Sequence, residues 1–152
     1  MAAIINPLLG SVVETFNTML DCQARRGQLE LRDADAEPYE VSAIISLTGR
    51  AKGTICMSFD RPTALEIGAR LAGASGWKLT PAVLDAVGEI ANVVTGSAKS
   101  KLELGLNMGL PTLVRRADFD VRFPPEAEPM RLHFDSEVGP FSIDFGFVVS
   151  GM

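Results

Sequence analysis

Between residues 83 and 102 apolar side chains recur every three or four positions: Val83, Val87, Ile90, Ala91, Val94, Ala98 and Leu102. That period lines them along one face of a helix. Thr80 supplies a capping hydroxyl, and Pro81 follows at the first helical position, where its missing N–H is no loss. The pattern predicts one long helix over 80–104. At about 100° per residue, the opposite face carries Asp85, Glu89, Asn92, Gly96, Lys99 and Glu103. Glu89 and Asn92 therefore stand one turn apart, both pointing away from the core. Gly88 and Gly96 lie inside this helix, at a cost of about 1 kcal/mol each relative to alanine. At Gly96, on the polar face, the missing side chain lets another backbone or molecule come close.

The same reading places a first helix over 7–22, opened by Asn6-Pro7, with Leu8, Val12, Phe16, Met19 and Leu20 as its apolar stripe. Residues 28–32 alternate as a short strand, and 33–38 form an acidic loop. Two strand runs, 41–47 and 54–59, flank a glycine-bearing turn and predict a hairpin. Asp60 caps the next helix, with Pro62 near its start and Gly73 near its end; a connector over 74–78 holds Trp77. Beyond the long helix come 107–114 and then 119–123, 130–134 and 141–149, the last three read as a closing antiparallel meander. Helices and hairpins in separate blocks indicate an α+β fold with a mainly antiparallel sheet.

The 152 residues are expected to form a single domain with a substantial core. The net charge of -5 argues against nucleic acid or an anionic membrane surface as the main partner. No run of about 18 apolar residues offers a membrane span, and the first residues lack the pattern of a signal peptide, so a cytoplasmic protein is expected. Cys22 and Cys56 are isolated and His133 is the only histidine, which argues against a zinc site or a histidine triad. Walker, nucleophile-elbow and H-E-x-x-H motifs are absent.

An acid and an amide on an outward helix face are a thin basis for a self-contained active site. They make better sense as parts inserted into a site that another protein half-builds. There the carboxylate can pair with a lysine, and the amide can accept from and donate to a water molecule, fixing its direction of attack. Phosphoryl hydrolysis asks for little more than such positioning. Glu14-x-x-Asn17 repeats the spacing in the first helix and is read as a surface pair.

Asp85-x-x-x-Glu89-x-x-Asn92, followed by Gly109-Leu110-Pro111-Thr112, resembles the CheC/CheX/FliY phosphatases of bacterial chemotaxis, and their CheX-like members most. Ile5-Asn6-Pro7 with Val13-Glu14-Thr15-Phe16, and the hairpin 45–54, extend the likeness across most of the chain. The resemblance implies a sheet packed against a long central helix and two further helices. It implies hydrolysis of the phosphoaspartate of a CheY-type response regulator, whose receiver domain holds Mg²⁺, with no cofactor in this chain. Glu89 would pair with the regulator's lysine and Asn92 would orient the water. Asp85 would support the motif, with Gly96 and Lys99 also facing the partner. A homodimer is implied, since CheC-like chains carry the motif twice and this one has a single good copy. Pro111 lies nearer Asn92 than the corresponding proline in CheC-like chains, so either the connection is shortened, as expected of a CheX-like member, or the far side of the site differs. The alternative is a receiver-docking or flagellar-switch-related binding module that does not catalyse.

Overall fold

In a computed structural model that describes residues 2–149, seven strands pair antiparallel in one sheet. In chain order the elements are α1 (Ala2–Leu20), β1 (Ala24–Leu31), β2 (Val41–Thr48), β3 (Ala51–Phe59), α2 (Arg61–Ala72), α3 (Pro81–Leu102), β4 (Asn107–Met108), β5 (Thr112–Arg115), β6 (Met130–Ser136) and β7 (Phe141–Val149). The strands run β1-β6-β7-β3-β2-β4, with β5 also on the outer side of β2. The α+β class is as the sequence predicts.

The helices cover one face of the sheet. Met57, Phe59, Phe141, Ile143 and Phe145 meet Phe16 of α1 and Ile90 and Val94 of α3 there, all essentially buried. Phe16 stacks on Phe141 with ring centroids 4.7 Å apart. The alternate residues of the central strands, Ser42, Ser58, Ser142 and Asp144, are buried as well, because two long loops cover the second face. Tyr39 N–H donates to Ser58 Oγ (3.1 Å), and Thr54 Oγ1 donates to the carbonyl of Arg122 (2.8 Å). Beneath these loops Asp144 accepts from Arg32 Nε at 2.8 Å and from Arg131 Nε at 2.6 Å, with all three side chains nearly excluded from water.

Four parts of the expected layout are corrected or filled in. First, α1 begins five residues before Pro7, so the proline sits inside the helix rather than opening it. Burying Ile5 offsets the hydrogen bond that Pro7 cannot donate. Second, β1 starts at Ala24 and absorbs Gly27 at a register shift between Arg26 and Leu29. Third, 107–114 divides into two short strands that flank residues 109–111. Fourth, 119–123 is no strand and lies across the second face of the sheet, where Phe123 receives the Arg32 guanidinium at 5.3 Å. The meander is thus reduced to the β6–β7 hairpin.

Candidate functional site

Helix α3 forms where its caps say it should. Thr80 Oγ1 accepts from Val83 N–H at 3.4 Å, Pro81 occupies the first turn, and Glu103 ends the helix in the left-handed conformation. Val83, Val87, Ile90, Ala91, Val94 and Ala98 are buried and Leu102 is half-buried, so the apolar stripe faces the sheet as predicted. Asp85 and Glu89 are exposed, while Asn92 is half-buried. Gly88, Asn92 and Glu89 follow one another around the helix in steps of about 40° and 60°, from the β5 side outward. The amide is therefore partly sheltered and the carboxylate is not.

The shelter comes from the chain beyond the helix. A depression of about 400 Å³ is lined by Asp85, Glu89 and Asn92 on one side and by Leu110, Pro111 and Leu113 on the other, with Gly88 between them. An added Cβ at Gly88 would lie 3.0 Å from Leu113 Cδ2 and 3.8 Å from Pro111 Cγ. Glycine at 88 is what allows β5 to approach so closely. The segment is pinned at both ends: Gly109 N–H donates to Ser46 O at 2.9 Å, and Thr112 pairs with Ile44. Farther along β5, Arg115 Nη2 donates to Glu40 Oε1 at 2.7 Å. Arg61 Nη1 lies 3.8 Å from the same carboxylate, and its Nη2 donates to Trp77 O at 2.6 Å. This chain of charges ties the connector ahead of α3 to β5. The Arg115 hydrogen bond holds the Glu40 carboxyl below its usual range.

Of the predicted site residues, the depression gathers Asp85, Glu89 and Asn92 but not Gly96 and Lys99, which continue up the helix. A Cβ at Gly96 would meet nothing within 4 Å, so none of the described residues makes the close approach expected there. Glu14 and Asn17 are exposed on α1, where Glu14 takes a 3.1 Å hydrogen bond from Lys101. His133 Nε2 lies 2.8 Å from Glu30 Oε1 on neighbouring strands. Both cysteines are buried, and desolvation pushes the Cys56 thiol up to about 12, far from a usable nucleophile. Among the described residues no group of three or more His, Cys, Asp or Glu side chains could hold a metal ion, and no helix is long and apolar enough to cross a membrane. Sequence reading named Leu110 and Pro111 only as part of the family likeness, and missed that they form a far wall with Leu113 and that Gly88 seats it. The signals were a costly glycine beside Glu89 and a Gly-Leu-Pro turn after the helix.

The site therefore offers an exposed carboxylate and a sheltered amide on a rigid helix, beside an apolar wall. The CheY-P phosphatase CheX of Thermotoga maritima is 30% identical over 125 residues, 80% of this chain and 81% of that protein. The chemotaxis protein CheX of Vibrio vulnificus superposes with a TM-score of 0.83 at 28% identity, covering 95% of this chain and 99% of that one. The same fold recurs, at TM-score 0.78 and 18% identity over 94% and 96% of the two chains, in the CheX-CheY-BeF3-Mg²⁺ complex of Borrelia burgdorferi. The family described as chemotaxis phosphatase CheX matches residues 41–135, which include the helix, the depression and both of its walls, and the chain belongs to that family.

Proposed function

We propose that this chain hydrolyses the phosphoaspartate of a CheY-type receiver domain by inserting Glu89 and Asn92 into the receiver's active site. The observation that carries this reading is the pair itself, a carboxylate and an amide on successive turns of α3 that open together into one depression. A receiver brings the aspartyl phosphate, its own Mg²⁺ and a lysine. Glu89 pairs with that lysine and sets the register of the complex. The Asn92 amide oxygen accepts a hydrogen bond from a water molecule, and its NH2 group donates within the same site. Held in line, the water oxygen bonds to phosphorus as the aspartyl P–O bond breaks. The carboxylate leaves with the bonding electrons, and one proton of the water passes to a phosphate oxygen as inorganic phosphate forms. This chain supplies position, which for in-line phosphoryl transfer is most of what a catalyst can add.

Support comes from membership of a phosphatase family and from the relative named as a CheY-P phosphatase. The test is the phosphate lifetime of a CheY-type receiver from the same genome, phosphorylated with acetyl phosphate, with and without the protein. Asn92→Ala is expected to keep the fold and lose about 100-fold in rate, equivalent to roughly 2.7 kcal/mol of transition-state stabilisation. Equal rates for Asn92→Ala and the unaltered chain would remove Asn92 from the mechanism. Binding to the receiver with no change in its phosphate lifetime would instead favour a docking module.

A further inference from the structure

Leu110 is 88% exposed, more than any other large hydrophobic side chain among the described residues. A lone exposed leucine is ordinary, but the setting of this one is not. It sits between two strands that both pair with β2, in a three-residue connection pinned on each side. Gly109 is bound to Ser46, while Pro111 and Leu113 lie against Gly88. Pro111 also restricts the backbone conformation of the residue before it. Pro111 is half-buried against the helix while Leu110 beside it points out. It does so on the rim of the depression that holds Glu89 and Asn92.

We propose that Leu110 is a docking residue: a preset apolar peg that seats on an apolar patch of the receiver beside its phosphorylated pocket. This rests on the phosphatase reading, because the occupant it commits to is the receiver. Continuity supports that occupant, since any body large enough to cover Glu89 and Asn92 from outside must also cover the opposite rim. Because the connection is already fixed, seating the leucine orders little additional chain. Burying a leucine side chain is worth enough to change affinity by about ten- to a hundredfold. Leu110 thus sets affinity and choice of receiver, while Asn92 sets the chemical step.

Two readouts separate these roles. One is the affinity for a CheY-type receiver loaded with beryllofluoride and Mg²⁺. The other is the dephosphorylation rate of the acetyl-phosphate-treated receiver as its concentration is varied. Leu110→Asp is expected to weaken binding and raise the half-saturating concentration at least tenfold. Leu110→Met should restore affinity, and Asn92→Ala should bind normally with its plateau rate lost. Unchanged affinity in Leu110→Asp, or a fallen plateau rate at unchanged half-saturation, would overturn the docking role. An unchanged plateau rate in Asn92→Ala would instead refute the mechanism while the binding measurement on Leu110 still stood.

Discussion

Filling the space at residue 88 tests whether β5 is seated on α3 as described. The Cβ of an alanine would lie 3.0 Å from Leu113 Cδ2, inside the contact optimum of about 3.5–4.0 Å. Only the tip of a leucine has to withdraw, by about half an ångström. The helix gains about 1 kcal/mol when glycine becomes alanine, so Gly88→Ala should stay within about 1 kcal/mol of the original stability. Valine differs. Its two further methyls extend from a Cβ already 3.0 Å from Leu113 and 3.8 Å from Pro111, and Leu113 cannot simply swing away, because its strand is held in register on β2 from Thr112 to Arg115. Overpacking of this kind costs about 1–3 kcal/mol, while valine recovers only a few tenths through helix propensity. Gly88→Val should therefore be destabilised by about 1–2 kcal/mol, read as a lowered urea midpoint at unchanged slope. It should also lose affinity for the receiver, because the connection carrying Leu110 is displaced with β5. A valine variant as stable as the alanine variant would refute the close packing of β5 on α3.

Two further outcomes concern the scaffold. Asp144→Ala leaves the Arg32 and Arg131 guanidiniums buried without their shared carboxylate, and should cost about 3–5 kcal/mol in denaturant unfolding; a loss below about 1 kcal/mol would mean that water reaches both arginines. Glu40 has its carboxyl held down, first by the Arg115 hydrogen bond, so it stabilises the fold above the usual carboxylate value of 4.5 and loses that contribution as pH falls through its lower folded value. The stability gap between the unaltered protein and Glu40→Gln, followed by thermal melting from pH 6 to pH 3, should shrink with acidification, and a gap that widens would reverse the sign.

Where a structural decision is made within a few residues, the sequence announces it. Asp60 and Gly73 bracket α2 with a side-chain cap at one end and a left-handed residue at the other, and both were readable because a cap acts on its own helix. Glu89 and Asn92 were readable for the same reason, since a period of 3.6 residues states which side of a helix a residue occupies. Alternation is less informative. Phe119, Val121 and Phe123 carry the signature of a strand, yet they serve as a cover over the second face of the sheet, and a half-buried cover needs the same alternation as a half-buried strand. Likewise, Pro7 looked like a helix start because the gain from burying Ile5 in the core lies outside any local rule.

The site follows the same division. One wall is a helix face and is written in a single stretch of sequence. The other wall depends on a contact between Gly88 and Leu113, residues separated by the rest of α3 and a reversal of the chain. Periodicity could say that Asn92 faces outward, but not that Pro111 and Leu113 would return to stand beside it and leave it half-buried. That return changes what the pair can do. An amide exposed on a bare helix would exchange its hydrogen bonds freely with solvent. Under the proposed mechanism, an amide beside an apolar wall, with a receiver closing the open side, would keep few competing waters and could hold the one that attacks. The glycine that weakens α3 locally is thus the residue that lets the second half of the site form.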